Sequence, residues 1–145
     1  MSKPVYFYAA IAAAVGFAGL AVFQLALAAG APWGHAAWGG ANAELPTAQR
    51  VSSAVSVLIF AIAIGVVLGR ARVWQTSGHE TFFRRTTWVL VVFLTLSALV
   101  NFASGSRWEN FILGPLALVL ALLCVVVARA PEGGLSATAR DARTA

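Results

Sequence analysis

Charged side chains are scarce in this chain. Lys and Arg number ten and Asp and Glu five among 145 residues, 10% in all, where a soluble domain carries roughly a quarter. An ordinary soluble domain is thereby excluded. Cysteine occurs once, as Cys124 inside an apolar stretch, which rules out an intrachain disulfide, a CxxC redox pair and a thiolate metal site. No Asp, Glu, Lys or Arg stands near the middle of any long apolar run. Proton relays and ion-coupled transporters normally place one there, so a pump is disfavoured. Gly-rich phosphate loops, G-x-S-x-G and H-E-x-x-H are also missing.

What the chain has is apolar length. Hydrophobic residues make up 60% and the mean hydropathy is +0.83. A bilayer crossing takes about 20 mainly apolar residues, and four take about 80. Four runs supply them: Val5 to Ala29, Val51 to Leu68, Thr86 to Phe102 and Phe111 to Ala128. With flanking turns, the spans are expected at about 5–29, 47–69, 79–102 and 107–128, forming one transmembrane domain over 1–130. The fold class predicted is an all-α polytopic membrane protein, an antiparallel four-helix transmembrane bundle, because short second and third loops make helices two to four consecutive antiparallel neighbours. Residues 131–145, with Pro131, Gly133 and Gly134, read as a loosely ordered tail. The first run is longer than the roughly 7–15 apolar residues of a secretory signal, so it is read as a retained span.

Orientation follows from the basic residues. Alternate segments hold eight (Lys3, Arg70, Arg72, Arg84, Arg85, Arg129, Arg140, Arg143) on one side and two (Arg50, Arg107) on the other. The positive-inside rule therefore predicts a plasma-membrane protein with both termini cytoplasmic. Trp33, Trp38 and Trp108 fall at the outer boundary, and Trp74 and Trp88 at the inner one, as in aromatic belts. A net charge of +5 and a pI near 10.7 would suggest nucleic acid in a soluble chain. Here the charge sits in loops and no basic run alternates with aromatics, so the lipid bilayer, not nucleic acid, is the expected partner.

Local signals refine the helices. Ser77-Gly78-His79-Glu80 and Ser106-Arg107-Trp108-Glu109 fit the S-x-x-E capping box, placing the starts of helices three and four near Gly78 and Arg107. Pro46 suits the first turn of helix two, Gly30 the end of helix one, and Pro115 should bend helix four. Ala9, Ala13, Gly16 and Gly19 in helix one and Gly65 and Gly69 in helix two are small residues that let helix backbones approach. Packing inside one bundle is their expected use, although so thin a bundle leaves room for a homo-oligomer.

Polar residues concentrate in the outer half. Gln24 in helix one, Ser52 and Ser56 (with Ser53 beside them) in helix two, and Ser97 and Asn101 in helix three reach one depth. Above them lies the loop from Gly30 to Glu44, which holds His35, Trp33, Trp38 and four glycines. It is too apolar for a mobile linker and is expected to fold back over the bundle mouth. Arg50 and Arg107-Trp108-Glu109 complete an outer vestibule with aromatic walls, both signs of charge and one imidazole, which matches the usual description of a ligand site.

Three readings follow. The first is a pocket for a small or amphiphilic molecule, lined by Gln24, Trp33, Trp38, Arg50, Ser52, Ser56, Asn101, Arg107 and Trp108. The second is a membrane-embedded acid-base enzyme, such as an isomerase, cyclase or hydrolase on a lipophilic substrate. In it, His35 would exchange a proton with Glu44 or Glu109 while Arg50 or Arg107 stabilises developing negative charge. The third is a non-catalytic subunit or assembly factor of a larger membrane complex. Each residue also has a structural use: Gln24 and Asn101 as interhelical glue, the serines bonded to their own helix, Glu109 as a cap, and Glu44–Arg107 or Glu109–Arg50 as loop ion pairs. His35 alone has no structural duty evident in the sequence. His35 and His79 fall on opposite faces and cannot share a metal or haem, so no metal and no cofactor are expected.

The run Gly30-Ala31-Pro32-Trp33-Gly34 with Trp38-Gly39-Gly40, then Leu45-Pro46 and Arg50-Val51-Ser52-Ser53, resembles a pattern in small four-span integral membrane proteins of high-GC bacteria. So does Asn-x-x-Ser-x-Ser-x-Trp-Glu, here Asn101 to Glu109. The resemblance spans residues 5 to 128. It implies a topology and no activity.

Overall fold

Four stretches of this chain are apolar all round, and each becomes a helix long enough to cross a bilayer. The computed structural model describes residues 3–73 and 78–131. In it α1 runs Lys3–Ala29, α2 Thr47–Arg70, α3 Glu80–Phe102 and α4 Gly114–Ala128. A π-helical turn, Glu109–Leu113, leads into α4 and extends the fourth span to Glu109–Ala128. The expected tail, Ser77 of the first capping box and belt residue Trp74 lie outside the described residues.

The helices pack as two hairpins. α1 lies along α2 and α3 along α4, α1 and α4 join the pairs, and α2 and α3 meet least of the adjacent helices. Ala9, Ala10, Ala13 and Phe17 of α1 are buried against Ala63, Val66 and Val67 of α2 and Leu120, Ala121 and Cys124 of α4. Phe17 stacks on Phe60 with ring centres 6.1 Å apart. Gly16 is tight because a Cβ there would come within 2.6 Å of Leu120. Leu25, Leu58, Ile62, Val89, Val100, Phe111 and Leu122 are all exposed. An apolar surface this continuous has lipid as its natural solvent.

Helix ends follow identifiable chemistry. Gly30, at φ +100°, closes α1 in a Schellman motif: its N–H bonds the Leu27 carbonyl at 3.0 Å and that of Ala31 the Ala26 carbonyl at 2.9 Å. Arg50 Nε donates to the Ala28 carbonyl at 3.0 Å, and buried Arg70 donates to the Ala128 and Ala130 carbonyls, so guanidinium groups sit on the negative ends of α1 and α4. α3 starts at Glu80, not Gly78, and its cap residue His79 makes no side-chain cap. Glu80 pairs with Arg72 instead. Pro115 has no N–H for an ordinary helical bond. The chain widens one turn ahead of it, where the Gly114 N–H reaches the Glu109 carbonyl, a π bulge that accommodates the proline.

Candidate functional site

The end of the bundle that carries the 30–46 and 103–106 connections will be called the upper end. The 30–46 segment folds over it, as its composition predicts. Two short 3₁₀ turns, Gly34–Ala36 and Trp38–Gly40, form the lid, and Leu27, Ala37 and Leu45 close a small core beneath it, with Phe23 alongside. Gly34 is indispensable to this turn. Its N–H bonds the Ala43 carbonyl at 2.8 Å, and a Cβ would fall 2.2 Å from the Asn42 carbonyl oxygen.

The lid is fastened to two other elements. The Trp38 indole N–H donates to Ser53 Oγ of α2 at 3.0 Å, and Ser53 is fully buried. The Ser106 hydroxyl donates to the His35 carbonyl at 2.7 Å. The Gly39 N–H donates to Glu109 Oε2 at 3.1 Å, and the Ser104 hydroxyl donates to the same oxygen. Trp38, Gly39 and Gly40 all have positive φ. For tryptophan this left-handed backbone is strained, and the indole bond to Ser53 compensates it.

Half of the second capping box forms. The Glu109 N–H bonds Ser106 Oγ at 3.4 Å, but the carboxylate does not return to the Ser106 N–H, which bonds Ser104 Oγ at 3.1 Å instead. Glu109 leaves its own helix and reaches the lid. It is 8% exposed, and no Lys or Arg among the described residues pairs with it. The sequence reading of a Glu109–Arg50 pair is therefore replaced by Glu109–Gly39 and Arg50–Ala28.

Among the described residues, two depressions flank this lid. The larger is a groove of about 770 Å³ between α2 and α3. Gln24, Trp38, Ser56, Asn101 and Glu109 line it, with Ser97 and Ser104 as further polar walls. Leu20, Phe60, Phe93 and Leu94 form its lower, apolar part. The smaller cleft, about 480 Å³, lies between α1 and the start of the fourth span and gathers Phe23, Pro32, Trp33, His35, Trp108 and Ile112. Trp33 and Trp108 thus belong to a different face from Gln24 and Asn101. Arg50, Ser52, Glu44 and Arg107 line neither depression. Ser52 and Ser56 bond their own helix carbonyls, those of Ala48 and Ser52, each at 3.0 Å. Arg107 and Glu44 are exposed.

The acid-base group named from the sequence does not assemble. His35 Nδ1 donates to the Gly40 carbonyl at 2.9 Å, which gives the imidazole the structural duty that its sequence setting did not disclose: it closes the 35–40 turn. No hydrogen bond links it to Glu44 or Glu109 among the described residues, and His35 and Glu109 line different depressions. No group of three or more His, Cys, Asp or Glu side chains able to hold a metal occurs among the described residues.

One lining residue has an unmet hydrogen-bonding group. Gln24 Oε1 is buried without a partner. Ser104 was not singled out from the sequence, and Ser53 and Ser97 were placed at this depth without being counted as pocket lining. Ser53 could have been found: it stands seven and fourteen residues before Phe60 and Val67, on the stripe of α2 that faces α1.

Fold and surface together define a multi-pass helical membrane protein, a four-helix transmembrane bundle. Comparison of the chain with protein-family models, with curated proteins and with solved structures finds no match.

Proposed function

We propose that the α2–α3 groove binds a small amphiphilic molecule drawn from the membrane, with its apolar part between Phe60, Phe93 and Leu94 and its polar end among Gln24, Asn101 and Glu109. The observation that carries this is the amide of Gln24. A polar group at membrane depth with no partner is costly, and a hydrogen-bonding ligand in the groove would supply the partner. The groove volume of about 770 Å³ falls within the roughly 300–1,000 Å³ of small-molecule sites. From Phe93 to Asn101 it follows about 12 Å of helix, close to one leaflet of hydrocarbon. The acid-base reading has less behind it, since His35 bonds the Gly40 carbonyl and Glu109 the Gly39 N–H rather than each other.

We place the groove in the outer leaflet of the plasma membrane, with both termini cytoplasmic, on the strength of the arginine distribution. The relation to small four-span proteins of high-GC bacteria belongs to the same proposal.

Native mass spectrometry of the protein, released from mild detergent, tests the binding. A bound species of a few hundred daltons is expected on the wild type and lost from the double variant Gln24→Leu, Asn101→Leu; bare protein in both would overturn the proposal. Sidedness is checked with an impermeant thiol reagent on intact cells. Cysteine at exposed Glu44 should react and cysteine at exposed Thr81 should not; the reverse pattern would invert the topology.

A further inference from the structure

Among the described residues, Glu109 is the single ionisable side chain lining the α2–α3 groove. It is buried, and both donors that reach it, the Gly39 N–H and the Ser104 hydroxyl, arrive at Oε2. Oε1 is left for another partner. A carboxylate withdrawn from water into an apolar bundle is stabilised fully only when a cation accompanies it. The described residues bring none: Arg50 is committed to the end of α1, Arg107 is exposed and lines neither depression, and no other basic side chain among the described residues lines the groove. Trp38, next in the chain to the Gly39 that bonds Glu109, lines the same groove with an indole of the kind that attracts ammonium groups through its π face.

We infer that the groove selects a single-chain amphiphile with an ammonium headgroup, a long-chain amine or quaternary ammonium, seated against Glu109 and Trp38 with its chain running down between Phe60 and Phe93. The inference rests on the binding proposed above and specifies its chemistry. A carboxylate or sulfate headgroup would be repelled by Glu109. A phospholipid is a poorer match even when its headgroup includes an amine, because no Lys or Arg lines the groove to receive the phosphate. The volume likewise fits a drug-sized molecule.

The test uses the full chain in phosphatidylcholine nanodiscs and four probes with the same dibrominated alkyl chain: a trimethylammonium, an alcohol, a carboxylate and a lysophosphatidylethanolamine. Bromine quenches tryptophan fluorescence on contact, so each titration, expressed as mole fraction in the bilayer and run on a variant in which Trp33, Trp74, Trp88 and Trp108 are replaced by phenylalanine, reports occupancy beside Trp38. The trimethylammonium probe should bind at least tenfold tighter than the alcohol and tighter still than the carboxylate, with the lysophospholipid weaker than the trimethylammonium. Glu109→Gln retains an oxygen for Gly39 and Ser104, and it should bring the ammonium probe down to the affinity of the alcohol. The series with Glu109 in place decides the question even if that variant does not fold.

Equal, saturable binding of the ammonium and alcohol probes would overturn the headgroup assignment and leave the groove as an amphiphile site. Preference for the carboxylate would overturn it likewise. A lysophospholipid that binds as tightly as the ammonium probe would replace the free cation with a zwitterionic lipid. Full ammonium preference in Glu109→Gln would remove Glu109 as its source. Absence of saturable quenching by any chain would overturn this inference and the binding proposal together.

Discussion

Gln24 separates a binding role from a structural one by the sign of a stability change. As interhelical glue, its replacement by leucine would remove a hydrogen bond and destabilise the bundle. Its Oε1 has no bond to lose, and Gln24→Leu removes an unpartnered polar atom whose burial costs about 1–3 kcal/mol. The variant should therefore unfold at a higher temperature in detergent while losing affinity for the brominated ammonium probe; a lower melting temperature would return Gln24 to the glue role. Trp38 gives the opposite result. Trp38→Phe deletes the N–H that holds buried Ser53 and leaves a strained backbone without its anchor. A loss of about 1–2 kcal/mol is expected, read as a lower midpoint in thermal unfolding. Ser53→Ala should lose a similar amount, and the double variant should lose less than the two singles combined, since both remove the same bond.

At the scale of the element, glycines four apart in one helix have different duties. A Cβ on Gly69 would come within 2.5 Å of the Phe83 ring of α3, whereas one on Gly65 would meet nothing within 4 Å. Gly69→Ala should destabilise the bundle by about 1–3 kcal/mol through overpacking, and Gly65→Ala should be neutral or slightly stabilising because alanine is the better helix former. Thermal unfolding of the two variants side by side checks this. The spacing looks like one motif in the sequence, but only Gly69 sits where α2 and α3 converge. The lid behaves similarly: Gly34→Ala drives a methyl into the Asn42 carbonyl, so it should open the lid and not merely loosen it. The expected sign is faster protease cleavage within 30–46, with the four helices retained by circular dichroism.

Across the whole molecule, two tight hairpins leave a seam between α2 and α3, wider toward the lid, and the lid bridges it. Gly39 belongs to the connection of the first hairpin and Glu109 to the entry of the fourth span, seventy positions apart in the chain. This link predicts long-range coupling. Glu109→Ala should speed amide exchange in the peptide around Gly39 at least tenfold while exchange in the middle of α1 stays as in the wild type; unchanged exchange at Gly39 would mean that the lid is held by Trp38 and Ser106 alone. The segment from Asn101 to Glu109 also acquires a physical use at this scale. Ser104 supports the Glu109 carboxylate, Ser106 holds the lid at His35, and Asn110, just beyond the motif, bonds the Ser104 and Ser106 carbonyls.

The sequence alone determined the number, limits and antiparallel order of the helices, because apolar length and loop length leave a chain in lipid few other arrangements. It also determined that polar groups gather at one end beneath an aromatic loop. It did not determine which of them share a space. Helix rotation decided that Ser53, not Ser52, faces inward. The course of the lid put Trp33, His35 and Trp108 on one face and Trp38 with Glu109 on the other. These outcomes depend on contacts between residues far apart in the chain, whose energies are settled only when the hairpins dock, and no local pattern of residues encodes them.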